Sequence, residues 1–295
     1  MCGIAGILRR GGNERTAIGE HVIRMAAALA HRGPDASDVW TDGAAGVCLG
    51  HRRLSILDLT VAGAQPMRSD CGRFSVTFNG EIYNHLTIRS ELEAASAAPN
   101  WKGHSDTETL LYAIRYWGLK EALQRFNGMF AFAIWDARDR SLTLCRDRFG
   151  EKPLFYGWFG NEFVFASELK AFAAHPNWNK SIDRRALSAL MRYSYVPAHW
   201  TIWVGFRKLI SGSMFSIPES VGPGELPQPE MYWSMRRQVV AGSGNRITDP
   251  VAATNELERL LSQAVVRQSL SDVPLGAFLS GGIDSSTIVA LMQRN

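Results

Sequence analysis

The chain has 295 residues, of which 46% are hydrophobic and 20% charged, an ordinary balance for one large globular domain or two smaller ones. Its 32 basic and 28 acidic residues give a net charge of +4, and their scattered positions exclude a basic stripe for nucleic acid. No run of about 18 apolar residues indicates a transmembrane helix, and the first residues lack the order of a secretory signal, so the sequence predicts a cytoplasmic protein without membrane contacts.

A cysteine follows the initiator methionine directly. Removal of Met1 would leave a thiol and a free α-amino group on Cys2, and an amine with an ordinary pKa near 8 can act as general base to its own thiol. The alternative is that Cys2 is a small buried hydrophobic residue. The other cysteines are widely spaced and predict neither a zinc site nor a disulfide framework: Cys48, Cys71 and Cys145. We expect these three to be structural, and the sequence predicts no metal site.

Short strands and two amphipathic helices are predicted in the first two hundred residues. Apolar residues at helical spacing predict a helix over residues 16–30, which Arg32-Gly33-Pro34 stops. Aromatic and β-branched runs bounded by turn residues predict strands at 74–78, 130–135, 142–144 and 163–165. A second helix begins at Ser105, whose hydroxyl can cap it while Glu108 reaches back to the cap, and it ends at Gly118. The strands are expected to form one or two packed sheets.

Proline and glycine cluster between residues 216 and 244 and indicate a linker. Beyond it, Asp249-Pro250 opens a helix, and an apolar strand is predicted at 275–279, followed by a glycine-rich loop and a helix over 287–292. The predicted divisions are therefore a first domain at 1–215, a linker at 216–248 and the start of a second domain at 249–295.

The loop between the last strand and helix has the character of a phosphate site. Two glycines allow close approach of an anion, while serine hydroxyls and the helix N-terminus favour negative charge. The loop lacks the lysine of a Walker loop, and its S-G-G-x-D-S-S pattern is typical of ATP pyrophosphatases; the alternative is a plain serine-glycine turn before a helix. The predicted ATP-binding residues are Ser280, Gly281, Gly282, Asp284, Ser285 and Ser286.

Seven motifs occur in a fixed order along the chain: MCGIAGI at 1–7, HRGPD at 31–35, HRRLSILDL at 51–59, NGEIYN at 79–84, SDTE at 105–108, RDRFGEKPLFY at 146–156 and SGGIDSS at 280–286. Together they resemble the glutamine-hydrolysing asparagine synthetases. The first six cover the amino-terminal domain of that family, and the seventh resembles the start of its synthetase domain.

The resemblance implies an α+β chain: a class II glutamine amidotransferase domain with the amino-terminal-nucleophile hydrolase fold, two antiparallel sheets between helices, followed by an incomplete α/β ATP-pyrophosphatase domain. In such a domain Cys2 would attack the side-chain amide of glutamine and form a thioester, releasing ammonia and then glutamate without a cofactor. The segment 146–156 would lie along the interface between the domains.

The resemblance also implies the roles of five other residues. The Asn79 side chain and the Gly80 N–H would stabilise the oxyanion from the turn after strand 74–78. By itself, Asn-Gly is equally typical of an ordinary hairpin turn. Arg53 would bind the carboxylate of glutamine, because it matches the R-L-S-I motif where the adjacent Arg52 does not. The α-ammonium group of glutamine would bind to Glu81 and Asp106. Without the resemblance to the family, these two residues would be interpreted as exposed surface acids.

In the second domain, the family uses ATP and Mg²⁺ to activate the aspartate β-carboxylate, and ammonia arriving through an internal channel then forms asparagine. Asn295 ends this sequence nine residues past Ser286. We therefore expect the last about 45 residues to be only partly ordered, or the sequence to continue. Two alternatives stay open: the acceptor is another carboxylate, such as a surface-sugar uronic acid, or the chain is a non-catalytic interaction partner. The oligomeric state also stays open, although family members are often dimers, which makes a homodimer one candidate.

Overall fold

The computed structural model describes residues 1–11 and 17–294. Its strands are β1 Gly3–Arg9, β2 Ala36–Asp42, β3 Val47–Arg53, β4 Met67–Arg68, β5 Phe74–Ile82, β6 Gly128–Asp136, β7 Ser141–Arg146, β8 Phe155–Phe159, β9 Glu162–Ala166, β10 Phe206–Lys208, β11 Ser213–Ile217 and β12 Glu230–Met231. Its α-helices are α1 Ala17–Ala27, α2 His85–Ala94, α3 Asp106–Trp117, α4 Leu119–Arg125, α5 Arg184–Tyr193, α6 Met235–Gly242, α7 Pro250–Gln268 and α8 Ile283–Arg294. Short 3₁₀ helices occupy Ala30–Arg32, Val61–Gly63 and Leu169–Ala174.

The strands form two six-stranded sheets. The first has the order β10-β8-β9-β1-β3-β2 and the second β12-β11-β7-β6-β5-β4, with antiparallel pairing between all neighbours. This confirms the predicted pair of antiparallel sheets. Because β1 lies between β9 and β3, the chain's amino end is fixed to an interior strand of the first sheet.

Alternation along β6 shows how the sequence builds the layers. Ala131, Ala133 and Trp135 point into the core between the two sheets. The intervening Phe130 and Ile134 point the other way, into the core between the second sheet and helices α2 to α4. Side chains of a strand alternate between its faces, so one fully apolar strand serves two cores at once.

Helices cover the outer faces of both sheets. Helix α1 packs Ile18, Val22 and Met25 against the first sheet, as its apolar spacing predicts; Thr16, where the prediction began, lies outside the described residues. On the second sheet, Ser105 caps α3 by accepting a hydrogen bond from the Glu108 N–H, as predicted. The prediction that the Glu108 side chain reaches back to this cap is wrong. Its carboxylate instead accepts hydrogen bonds from the N–H groups of residues 102 and 103.

The last part of the chain departs from its predicted pattern at one strand. Helix α7 begins after Asp249, whose carboxylate caps it, as predicted. Residues 275–279 form no strand, because no described segment lies beside them to supply ladder hydrogen bonds. Within the predicted linker, β12 pairs with β11 and extends the second sheet. The predicted domain limits stay a prediction. Among the described residues, no helix has the length and apolar character needed to cross a membrane.

Candidate active site

The six residues predicted for glutamine chemistry lie around one cavity at the amino end of β1. The cavity has a volume of about 100 Å³, several times the about 10–15 Å³ that a single water needs. It is lined by the amino terminus, the loop after β3, the far end of β5 and the start of α3. The predicted residues in its wall are Cys2, Arg53, Asn79, Gly80, Glu81 and Asp106.

The Cys2 thiol is held against the loop that follows β3. Its sulfur lies 3.6 Å from the Leu54 carbonyl oxygen and 3.4 Å from the Leu54 nitrogen, and the Cys2 carbonyl accepts a hydrogen bond from Arg32 at 2.9 Å. Burial raises the pKa of the thiol, and the contact with the Leu54 backbone opposes that rise. A thiol in this place needs a base to become a nucleophile at neutral pH.

The α-amino group at the start of the chain belongs to Met1, which also lines the cavity. Burial lowers the pKa of this α-amino group, and the positive charges of Arg32 and Lys152 lower it further. While Met1 is present, the nitrogen of Cys2 is part of a peptide bond and has no basic lone pair. Cys2 therefore gains a basic amine of its own only when Met1 is removed.

Arg53 sits at the end of β3 with its guanidinium fixed by backbone oxygens. It is 9% exposed, and its head group donates to the Thr60 carbonyl at 3.0 Å and to the Asp58 carbonyl. Gly63 makes room for this arrangement, because a Cβ atom there would lie 2.3 Å from Nη2 of Arg53. The guanidinium is thus aimed and held before any ligand arrives.

Two carboxylates face the same cavity. Asp106, the first residue of α3, is 5% exposed and accepts the Ile82 N–H at 2.8 Å. Burial raises its pKa to about 7, and the neighbouring Glu81 adds to the rise. Burial also raises the pKa of Glu81, while Lys152 opposes that shift. An ammonium ion placed between the two carboxyl groups would favour their ionised forms.

The prediction that Asn79 and Gly80 occupy a turn is wrong. Strand β5 continues to Ile82, and these two residues pair with Ala131 and Phe130 of β6. Gly80 permits the close pairing, because a Cβ atom there would lie 2.2 Å from the Met129 carbonyl oxygen and 2.6 Å from Cα of Phe130. Pairing with a distant strand therefore overrides the local preference of Asn-Gly for a hairpin turn.

The strand directs the Gly80 N–H into the cavity. Phe78 and Ile82, two positions to either side, donate their N–H groups to Gln65 and Asp106 on the side away from β6. The Phe130 backbone, opposite Gly80, bonds to Asp147 instead. Gly80 and Phe130 thus form a non-hydrogen-bonded pair of the antiparallel ladder, in which the N–H group of each residue points away from the other strand. The Gly80 N–H therefore points to the same side as those of Phe78 and Ile82, toward the cavity.

The Asn79 side chain completes this wall. Asn79 is 1% exposed, and neither its Nδ2 nor its Oδ1 has a hydrogen-bond partner among the described residues. Buried amides are normally bonded, so a polar group that enters the cavity would supply the hydrogen bonds this one lacks. The amide of Asn79 and the N–H of Gly80 are suited to an oxyanion.

Gln65 and Lys152 are polar residues of the cavity wall that were not among the predicted site residues. Gln65 accepts the Phe78 N–H at 2.7 Å and donates to Thr107 at 3.3 Å, so it ties β5 to α3. Lys152 is 6% exposed, its Nζ lies 2.8 Å from the Met129 sulfur, and burial lowers its pKa. Lys152 lies in the RDRFGEKPLFY motif, which could have suggested it; Gln65 stands in a loop with no local signal.

The predicted phosphate-binding residues lie together at the start of α8. Gly281 has φ +79°, the left-handed backbone that glycine allows. The Ser285 hydroxyl accepts the Ser280 N–H at 3.3 Å and lies 3.0 Å from the Ser280 hydroxyl. The donor set of hydroxyls and helix N-terminal amides is chemically suited to phosphate oxygens.

A cluster outside the cavity, His21, Glu162 and His175, has the residue types of a metal site. Burial raises the pKa of Glu162, but contacts with His175 and Arg9 bring it down to about 2. His175 Nδ1 accepts the Asn177 N–H, and His175 Nε2 lies 2.8 Å from Glu162 though poorly aligned for a hydrogen bond. Because Arg9 is paired with the Glu162 carboxylate, we interpret this cluster as a structural polar network.

Comparison with protein families gives two matches. The glutamine amidotransferase domain family matches residues 1–233, and the asparagine synthase family matches residues 256–295.

Among curated proteins, the chain is 36% identical to asparagine synthetase [glutamine-hydrolyzing] 1 of Bacillus subtilis, over 100% of this chain and 44% of that protein. It is 33% identical to the putative asparagine synthetase [glutamine-hydrolyzing] 2 of Methanocaldococcus jannaschii, over 100% of this chain and 57% of that protein. It is 30% identical to amidase chry2 of Gibberella zeae, over 100% of this chain and 43% of that protein. The chain thus spans about half the length of these relatives.

Two solved structures share the fold. Glutamine phosphoribosylpyrophosphate amidotransferase from B. subtilis matches with a TM-score of 0.57 and 18% identity, over 99% of this chain and 64% of that one. An allosteric regulatory enzyme of purine biosynthesis matches with a TM-score of 0.57 and 20% identity, over 79% of this chain and 49% of that one. At these identities the likeness concerns the fold, and it agrees with the predicted amino-terminal-nucleophile hydrolase architecture.

Proposed function

Because the chain belongs to the glutamine amidotransferase domain family, we propose that it hydrolyses glutamine to glutamate and ammonia, with Cys2 as the nucleophile after Met1 is removed. The observation that carries the proposal is the shared cavity. A thiol, an unbonded buried amide, a fixed guanidinium and two carboxylates line the same small space. The thiol and the amide match the reacting amide of a free amino-acid amide, the guanidinium matches its carboxylate, and the two carboxylates match its ammonium.

The chemistry begins at the freed α-amino group of Cys2, which takes the thiol proton. The sulfur then bonds to the side-chain carbonyl carbon of glutamine, and the resulting oxyanion is stabilised by the Asn79 amide and the Gly80 N–H. As the C–N bond breaks, the α-ammonium group returns its proton and ammonia leaves. Water next adds to the thioester, the C–S bond breaks, and glutamate departs with the thiol restored.

Recognition uses the two ends of the substrate. Arg53 would bind the α-carboxylate with its pre-positioned guanidinium, and Glu81 and Asp106 would bind the α-ammonium. Because these contacts form in both the ground state and the transition state, they contribute to KM more than to kcat. Asn79 and Gly80 act on charge that appears only during the reaction, so they contribute to kcat.

The test is release of glutamate from glutamine by the purified chain, with intact mass measured on the same sample. We expect activity in protein that has lost Met1, its loss in Cys2→Ala, and its retention in Cys71→Ala, a control at an exposed thiol. Equal hydrolysis by Cys2→Ala would sink the assignment. Retention of Met1 in an inactive protein would instead favour the non-catalytic interaction partner.

We further propose that the complete protein is an ATP-dependent synthetase that forms asparagine from aspartate with this ammonia. The support is the asparagine synthase match at residues 256–295 and the loop before α8. ATP phosphates, with their Mg²⁺, would be held by Ser280, Gly281, Gly282, Asp284, Ser285 and Ser286. ATP supplies the adenylation that activates a carboxylate for attack by ammonia.

The acceptor is tested with the complete protein, ATP and glutamine. Release of AMP that depends on aspartate, with asparagine as product, supports the proposal. AMP release with a uronic acid and none with aspartate would assign the alternative acceptor. A cytoplasmic location and a homodimer stay predictions, and sedimentation velocity tests the second.

A further inference from the structure

One carboxylate of the carboxyl-terminal segment contacts the glutamine site from outside. Asp272 lies between α7 and the loop before α8, and its Oδ2 accepts the Asp58 N–H at 2.7 Å. The same oxygen lies 2.6 Å from Nε2 of His104, and the Asp272 N–H donates to the Ile56 carbonyl at 2.9 Å. Three polar contacts therefore join this segment to two separate parts of the first domain.

The first contacted part is the loop that aims Arg53. Asp58 is fully buried and has φ +54°, a left-handed backbone that few non-glycine residues adopt. Its carbonyl oxygen accepts the Arg53 guanidinium, and its carboxylate accepts both the N–H and the hydroxyl of Thr60, at 3.2 and 2.5 Å. Since such a conformation persists only when its surroundings fix it, the hydrogen bond that the Asp58 N–H donates to Asp272 helps to fix the oxygen that orients Arg53.

The second contacted part leads into helix α3. His104 directly precedes the capping Ser105 and the cavity residue Asp106, and its N–H donates to the Asp58 carboxylate at 2.9 Å. The packing is close, because a Cβ atom at Gly103 would lie 2.0 Å from Oδ2 of Asp58. The Arg53 loop and the start of α3 are thus joined to each other and jointly to Asp272.

We propose that Asp272 is a positioning residue for glutamine binding, acting through Asp58 on Arg53 and through His104 on the start of α3. This inference rests on the proposed glutaminase function and deepens it, because it makes substrate affinity in the first domain depend on a residue that lies in the second. Since Arg53 and Asp106 bind groups remote from the reacting amide, a change at Asp272 alters KM and leaves kcat.

The experiment measures glutaminase kinetics of the chain with two changes at one position. We expect Asp272→Ala to raise the KM for glutamine about tenfold while kcat stays within about twofold, because a charge-assisted contact to His104 and an acceptor for Asp58 are both lost. Asp272→Asn keeps an oxygen for the Asp58 N–H and should show a smaller rise. Glu256→Gln removes an exposed carboxylate paired within α7 and should match the wild type.

Hydrogen exchange provides a readout that does not depend on catalysis. The segment 54–60 should exchange faster in Asp272→Ala than in the wild type or in Glu256→Gln, because the Asp58 amide loses its acceptor. If Asp272→Ala fails to fold, the same two measurements on Asp272→Asn decide the matter.

The outcomes separate the two proposals. An active wild type with unchanged KM in both Asp272 variants overturns the role of Asp272 and leaves the glutaminase function standing. Unchanged exchange over 54–60, or a loss confined to kcat, also overturns it. A wild type that releases no glutamate after loss of Met1 overturns the glutaminase function itself.

Discussion

Replacing Asn79 by alanine should separate catalysis from stability. In the proposed mechanism Asn79 donates to the oxyanion, and one such donor contributes about 3 kcal/mol, so kcat should fall about 10²- to 10³-fold with little change in KM. Its buried amide has no partner among the described residues, and an unbonded buried polar group of this kind costs about 1–3 kcal/mol. Removing it offsets the packing lost with the side chain, so the free energy of unfolding should change by less than about 1 kcal/mol.

Gln65→Ala is the matched control, because it removes a buried amide whose groups are both bonded. The Gln65 oxygen accepts the Phe78 N–H and its nitrogen donates to Thr107, so the variant leaves a buried N–H without an acceptor and should lose about 1–3 kcal/mol. The assays are glutamate release at saturating glutamine and urea unfolding. A fall in kcat under about threefold for Asn79→Ala, or a stability loss as large as that of Gln65→Ala, would refute the reasoning.

Two further predictions concern the groups that we propose bind the two ends of the substrate. Asp106 has a pKa of about 7 in the folded chain against an ordinary value of 3.8, so the folded state holds a proton that the unfolded state has released, and stability falls as pH rises between these values. The stability of Asp106→Asn should not fall in this way, so in urea unfolding at about pH 8 the variant should be more stable than the wild type by on the order of 1–4 kcal/mol. The KM of the wild type for glutamine should decrease as pH rises through about 7. A wild-type free energy of unfolding that stays constant between the ordinary and the raised pKa of Asp106 contradicts the assignment. Gly63→Ala should displace the head group of Arg53, because the new Cβ would lie 2.3 Å from Nη2 of Arg53 and 2.7 Å from the Asp58 carbonyl oxygen. We expect the KM for glutamine to rise about tenfold. Gly19→Ala is the control, because it lies at a helical position with open space and should leave the kinetics unchanged.

Local patterns in the sequence were enough to predict much of the fold. The run of apolar residues in β6, the spacing of apolar residues in α1 and the Ser105 cap are properties of neighbouring residues, so a short window contains them. The ordered motifs likewise predicted six site residues, and all six lie in the wall of one cavity. What these predictions share is that each depends on residue type and spacing within one segment.

The errors arose where a distant partner decides the structure. Asn79 and Gly80 read as a hairpin turn, yet β6, some fifty residues further on, pairs with them and extends the strand. Residues 275–279 have a strand-like composition, but a strand also needs a neighbour. The contact between Asp272 and Asp58 joins positions 214 residues apart, and no pattern in either segment could have revealed it.

The place of Met1 has a practical consequence for anyone preparing this protein. Met1 lines the same cavity as Cys2 and precedes β1, an interior strand of the first sheet. Met1 is also 56% exposed, so a purification tag or leader placed ahead of Cys2 can extend into solvent without disturbing the fold. Such a fusion would still keep the nitrogen of Cys2 in an amide, and we expect hydrolysis to begin only when a protease removes the extension and frees that nitrogen.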